Sequence, residues 1–211
     1  WSCDLLGTSP ALMQLTENMV AISFNTSLQK YGGDMAVASM SILNSIMQFV
    51  MLLLPGLVQG AQPLLSYNLG AQNIARVKKT FRLLLICCVS GSFLIWLICM
   101  TVPAAVTSIF TSDIALIAYT NKSMRVYLAM LFIYGIQVAC QYSFVALDQA
   151  PKAIFLTVWR KIIILIPLIF ILPHFVPDAV MGVYLAEPIA DTIAVCTTAP
   201  MFYFYYCKLK C

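Results

Sequence analysis

The chain carries no Asp, Glu, Lys or Arg between Asp34 and Arg76, and this uncharged run limits its possible folds more than any other feature. A helix needs about 20 apolar residues to cross a bilayer, so the run is long enough to do so. Its last part, residues 55–71, reads PGLVQGAQPLLSYNLGA and mixes helix breakers with amides. In lipid, Gln59 and Gln62 would have to face protein or a water-filled cavity. The run therefore predicts a membrane protein with an internal polar path.

The composition of the whole chain supports the membrane prediction. Of its 211 residues, 62% are hydrophobic and only 9% are charged, whereas soluble domains carry about 25% charged residues. Apolar segments joined by short loops use nearly the whole length and leave little room for a soluble domain. We expect six such segments, at residues 9–29, 35–58, 83–102, 126–147, 162–172 and 179–206. The fifth of them extends backward to residue 153. The sequence therefore predicts an all-α integral membrane protein with six transmembrane helices.

The positions of the cations predict how these helices are oriented. Nine of the twelve Lys and Arg residues are assigned to one side of the membrane: Arg76, Lys78, Lys79, Arg82, Lys152, Arg160, Lys161, Lys208 and Lys210. The other three are Lys30, Lys122 and Arg125. The positive-inside rule then predicts a multi-pass protein whose carboxy terminus is cytoplasmic. Because these cations lie beside apolar segments, we interpret the net charge of +4 as a signal that orients the helices in the membrane. No nucleic-acid partner is expected.

Several motifs, taken in order, carry a resemblance to a known family. They are KYGGD at 30–34, QGAQP at 59–63, YNLGA at 67–71, the basic stretch 76–82, the loop 146–152 and PIAD at 188–191. Together they resemble the second half of a MATE (multidrug and toxic compound extrusion) transporter over essentially the whole chain. The resemblance implies two six-helix lobes around a central cavity, with residues 1–211 forming the carboxy-terminal lobe, helices seven to twelve. Because Trp1 is not an initiator methionine, we expect the amino-terminal lobe to be missing from this chain.

The resemblance also implies a function. Such a transporter would export organic, often cationic, drugs by secondary active antiport against H⁺ or Na⁺, with no other cofactor. It would lie in the plasma (inner) membrane, and its partners would be membrane lipid, small-molecule drugs and the missing amino-terminal lobe. The sequence contains no Walker loop for ATP. We therefore expect a transporter driven by an ion gradient and not an enzyme.

Glu17, in the first apolar segment, is the leading candidate for coupling to the ion gradient. A carboxylate inside a membrane helix is costly and is usually functional, so it should face the protein interior. Asn18 and Asn25 share its helical face. We interpret Glu17 as the residue that exchanges a proton or binds Na⁺, as MATE members place a functional acid in this helix. The alternative is a carboxylate that is hydrogen-bonded only to help helices pack.

Glu187 and Asp191 in the last segment are further candidates for cation coupling. They lie four residues apart, on one helical face, where two carboxylates repel each other unless they share a cation or proton. Pro188 between them leaves a backbone carbonyl free as a possible ligand. In the alternative interpretation, Asp191 pins a kinked helix and Glu187 lies near the outer headgroups. The sodium-coupled branch of the family has another acid in its tenth helix, where this sequence has only Gln137 and Gln141.

Amide and phenol side chains at helical spacings are expected to line the substrate cavity. They are Asn18, Asn25, Asn44, Gln48, Gln59, Gln62, Tyr134, Gln137 and Gln141. Methionines such as Met47 and Met51 would add an adaptable apolar surface. The alternative is that most of these residues simply pack helices together.

Other functions are open at this point. A lipid-linked saccharide flippase of the same superfamily would need a cationic cavity for pyrophosphate, whereas most cations here are assigned to the cytoplasmic edge. An intramembrane aspartyl hydrolase would need two converging acids, and no motif supports one. A nonfunctional half-transporter fragment is the third alternative.

Overall fold

The computed structural model describes the backbone of residues 2–208 and the side chains of residues 15–149 and 151–208. Within the described backbone the secondary structure is helical, without strands. The helices are α1 (Ser2–Gly70), α2 (Ile74–Thr101), α3 (Pro103–Ser108), α4 (Ile114–Tyr127), α5 (Leu131–Ala146), α6 (Ala150–Val158), a π-helical segment (Trp159–Leu165), α7 (Ile166–Phe175) and α8 (Ala179–Lys208). The predicted all-α architecture is confirmed.

Helix α1 contains two helices that meet at Gly33, between the predicted segments 9–29 and 35–58. Gly33 has φ 62° and ψ −158° and breaks the helical path, a backbone conformation that is essentially restricted to glycine. The Nε2 group of Gln29 donates to the Asp34 carboxylate across the break at 3.0 Å. From Leu15 to Gly70 the helix has 56 residues, or about 84 Å at 1.5 Å per residue. This length is enough for two membrane crossings.

The second half of α1 extends further than the sequence predicts. The expected end of this segment at residue 58 and the expected start of the next at residue 83 are wrong, because the helix continues through Gly70 and α2 starts at Ile74. Backbone groups in an apolar environment have no water to bond, so continuing the helix past Pro55 and Pro63 costs less than unwinding it.

Residues 103–125, between the predicted segments 83–102 and 126–147, are not a simple connection, because α3 and most of α4 lie there. The Asp113 carboxylate caps α4 by accepting from the backbone amide of Ala115 at 2.9 Å, which satisfies an amide that a helix start leaves unpaired. Helices α4 and α5 are bent by 53° at residues 128–130. Trp96 of α2 supports the bend by donating its indole proton to the Ala129 carbonyl at 3.1 Å.

Within the described residues, four helical stretches are long and apolar enough to cross a membrane, and the bent pair of α4 and α5 would be a fifth crossing if it forms one span. Since the first of these stretches contains the two helices of α1, the described fold agrees approximately with the six predicted spans. Helix α5 packs closely on α2, where Gly135 lies against the Cys88 carbonyl and the Ser92 hydroxyl. Large apolar side chains such as Leu52 and Leu83 point outward, as lipid-facing residues do.

The stretch Pro151–Phe175 runs through α6, the π-helical segment and α7 as one apolar span. Arg160 and Lys161 lie in the middle of it, and both are buried. Their assignment to the cytoplasmic edge is therefore wrong, because carboxylates inside the helix bundle compensate their charge. Lys210, counted on the same side, lies outside the described residues.

Candidate functional site

The π-helical segment presents two consecutive basic side chains to the interior of the helix bundle. Arg160 and Lys161 are 5% and 8% exposed. A π-helix widens the turn, and such segments frequently occur at functional sites. The segment packs against α8 and α1, which carry the three acids predicted to couple cations. The local winding thus places both cations opposite those acids.

Arg160 joins the two acids of α8. Its Nε donates to Asp191 Oδ1 at 2.8 Å and its Nη2 to Glu187 Oε1 at 2.7 Å. All three side chains are less than 10% exposed, and the guanidinium also lies 5.3 Å from the ring centre of Tyr134. The two carboxylates therefore share a cation, as their spacing requires, and that cation is an arginine of the protein. Glu187 is buried between helices and bound to Arg160.

Lys161 forms an ion pair with Glu17 from the first helix of α1. The two residues are 144 positions apart in sequence. The Lys161 side chain is 10% exposed, whereas the Glu17 side chain is 45% exposed. The acid is therefore the more accessible partner of the pair.

The pair lines a cavity of about 420 Å³ between α1, the π-helical segment and α8. Glu17, Asn18, Asn44 and Gln48, all predicted from sequence, lie in its wall. The apolar wall contains Val20, Ala21, Phe24, Met40, Met47, Met51, Tyr127 and Leu165, and the charged wall is completed by Arg160, Lys161 and Glu187. The cavity combines an adaptable apolar surface with a few polar groups, as small-molecule sites do.

A smaller cavity of about 180 Å³ is also lined by Glu17 and Lys161. Tyr134 and Gln141, two more predicted residues, line it together with Thr157. Gln137 is buried beside them. Its amide donates to Gln141 Oε1 at 3.2 Å, and Gln141 donates to Thr157 Oγ1 at 2.7 Å.

The remaining predicted cavity residues lie elsewhere. Asn25 lines a recess next to Thr26 and Lys30. Gln59 is exposed and Gln62 is half-buried, and neither belongs to the wall of the two cavities around Glu17. They lie on the part of α1 that continues past residue 58.

Sequence reasoning missed Arg160 and Lys161 as site residues. The signal was present, because two adjacent cations fall inside the apolar segment extended back to residue 153. An intramembrane cation needs a partner for the same reason as an intramembrane acid.

Comparison with known proteins places this fold in a family. A sequence profile described as MatE matches residues 10–171. Multidrug export protein MepA of Staphylococcus saprophyticus is 26% identical over 200 residues, which cover 95% of this chain and 43% of that protein. MepA of Staphylococcus aureus is 27% identical over 204 residues, with the same coverage.

Solved structures show the same similarity. The MATE multidrug transporter DinF-BH is 30% identical with a TM-score of 0.82, over 96% of this chain and 45% of that one. An outward-facing MATE transporter of the MOP superfamily is 16% identical with a TM-score of 0.89, over 97% of this chain and 46% of that one. The chain thus spans slightly less than half the length of these relatives. It is a multi-pass membrane protein that belongs to the MatE family.

Proposed function

We propose that this chain is the carboxy-terminal lobe, helices seven to twelve, of a secondary transporter that exports organic compounds in exchange for H⁺ or Na⁺. The names of its relatives, multidrug export protein and multidrug transporter, support export of drugs. The observation that carries the proposal is the cavity of about 420 Å³ with the half-exposed Glu17 carboxylate in its wall. Its methionine-rich surface suits apolar molecules of differing shape.

In this proposal Glu17 is the acid that changes its ligand during transport. A proton or Na⁺ at Glu17 favours one access state, and a drug in the cavity favours the other. The two ligands then exclude each other through their different affinities for the two states. Access would alternate by movement of this lobe against an amino-terminal lobe, with the site between them.

Glu187 and Asp191 contribute in a different way from Glu17. Both are bound to Arg160 and are nearly inaccessible. A small cation could reach them only after the guanidinium moved, so we propose that they hold Arg160 in place beside the cavity. Glu17 is then the acid that exchanges its ligand.

The protein would lie in the plasma membrane with its carboxy terminus in the cytoplasm. When Arg160 and Lys161 are left out of the count, six described cations are still assigned to the cytoplasmic side: Arg76, Lys78, Lys79, Arg82, Lys152 and Lys208. Lys30, Lys122 and Arg125 belong to the other side. The bias required by the positive-inside rule therefore remains.

A lipid-linked saccharide flippase is the second candidate, and one observation favours it. Arg160 and Lys161 line the cavity, which supplies the cations that a pyrophosphate would need. Both are already paired, however, and the three acids around them outnumber them. A pyrophosphate would meet a site with excess negative charge, so drug export is the better proposal.

Replacing the exchanging acid tests the proposal. In proteoliposomes that contain both lobes, Glu17→Gln should abolish ethidium export driven by a gradient of H⁺ or Na⁺, because the variant loses the charge that either ion needs. Membrane insertion, measured by the amount of the variant in the membrane fraction, should be unchanged. Asp148→Asn is the matched control, since Asp148 is an exposed acid outside the two cavities. Normal export by the Glu17 variant would remove Glu17 from the mechanism.

A further inference from the structure

The two cavities beside Glu17 have a common wall. Glu17, Met51, Arg160 and Lys161 line both the larger and the smaller one. Because the Lys161 ammonium is bound to the Glu17 carboxylate, this ion pair is part of the boundary between the two spaces. Any movement of the lysine away from the acid therefore changes both cavities at once.

The exposure of the two partners is unequal. The Glu17 side chain is 45% exposed and the Lys161 side chain is 10% exposed. A molecule in the larger cavity can therefore reach the carboxylate while the lysine is still bound to it. An organic cation there and the Lys161 ammonium would compete for the same carboxylate, because both are attracted by the same charge.

The smaller cavity offers the ammonium a second place to bind. Tyr134, Thr157 and Gln141 line it, and the side-chain oxygen of each can accept a hydrogen bond from an ammonium. Nearby, the Oε1 atom of Gln137 is buried and has no hydrogen-bond partner within the described part of the chain. A lysine is suited to such a move, because it is a compact charge on a flexible four-carbon stem.

The charges around the site also favour a single additional cation. Three carboxylates, those of Glu17, Glu187 and Asp191, face the two cations Arg160 and Lys161. With all five groups ionised, one negative charge is left over. A monovalent organic cation at Glu17 would neutralise the cluster while Lys161 remained nearby.

We propose that Lys161 is a tethered competitor of the cargo: its ammonium occupies Glu17 in the empty cavity and moves into the smaller cavity when an organic cation binds. This inference rests on the proposed function and adds a residue that sets the affinity for cargo. The lysine then returns to Glu17 as the cargo leaves. The empty transporter thus never exposes an unpaired carboxylate in the membrane, which would be costly.

Equilibrium binding of ethidium to the purified two-lobe transporter in lipid nanodiscs tests this inference. Lys161→Gln removes the competing charge, so ethidium should bind about tenfold more tightly, with the Kd lowered accordingly. Lys161→Arg keeps a cation at this position, and its Kd should stay within about twofold of that of the unaltered protein. Lys152→Gln, far along the same span, is the matched control for loss of one lysine.

A double variant separates competition from a general effect of Lys161. In the Glu17→Gln background there is no carboxylate to compete for, so adding Lys161→Gln should leave the ethidium Kd unchanged. A tenfold effect of Lys161→Gln that persists in this background would contradict the inference, because additive effects mean that the two residues do not interact. An unchanged or weaker affinity in the single Lys161→Gln variant would also contradict it.

Ethidium export by the unaltered protein separates a failure of the tethered-competitor inference from a failure of the proposed function. If the protein exports ethidium but Lys161→Gln leaves the Kd unaltered, the tethered competitor is wrong and the proposed function stands. If the unaltered two-lobe protein neither binds nor exports organic cations, both are wrong.

Discussion

Arg160 and Asp191 are joined inside the helix bundle by a hydrogen bond of 2.8 Å from Nε to Oδ1. They lie on different helical elements, 31 residues apart in sequence. The same guanidinium bonds Glu187 at 2.7 Å. One arginine thus fixes the π-helical segment to α8 beside the cavity.

Loss of Arg160 should be strongly destabilising. Arg160→Gln leaves Glu187 and Asp191 buried without a cation, and breaking a buried ion pair in this way costs about 3–5 kcal/mol. Thermal unfolding of the purified protein in detergent, followed by circular dichroism, should show a clearly lower midpoint. The triple variant Arg160→Gln, Glu187→Gln, Asp191→Asn removes the uncompensated charge and should recover most of this loss. Equal midpoints for the single and triple variants would mean that charge pairing is not what Arg160 provides.

The break in α1 should depend on glycine at position 33. Gly33→Ala places a Cβ on a residue with φ 62° and ψ −158°, at a cost of about 1–3 kcal/mol. The cost is conformational, because an added Cβ there meets nothing within 4 Å. Gly70→Ala is the control, since Gly70 is equally open and lacks the positive φ. Similar thermal midpoints for both variants would show that the break tolerates other residues.

The contact between α2 and α5 should depend on Gly135. An added Cβ would overlap the Cys88 carbonyl and the Ser92 hydroxyl, and a backbone carbonyl within a helix cannot simply rotate away. Gly135→Ala should therefore lower stability by about 1–3 kcal/mol, as overpacking does. Gly56→Ala, with nothing within 4 Å of the added Cβ, should be neutral or slightly stabilising because alanine favours helix. A loss of stability in the Gly56 variant equal to that in the Gly135 variant would contradict this explanation.

Helix periodicity in the sequence was enough to predict which polar side chains of one helix share a face. Glu187 and Asp191 share a face because they are four residues apart, and Asn44 and Gln48 share one for the same reason. The uncharged run after Asp34 determined the membrane environment, because lipid excludes unpaired charge. In contrast, the ends of α1 and α4 were predicted poorly, since prolines, glycines and polar residues are tolerated in helices that other helices shield.

Only the tertiary structure decided which charges meet. The sequence places Arg160 and Lys161 next to each other, but their partners come from α8 and from Glu17, 144 residues away from Lys161. Periodicity describes one helix at a time, whereas an ion pair depends on how separate helices pack and rotate against one another. The sequence alone therefore determined that this is a helical membrane protein with intramembrane acids. The packing of α1, the π-helical segment and α8 decided that two of those acids share an arginine and that Glu17 lines a cavity while it is paired with a lysine.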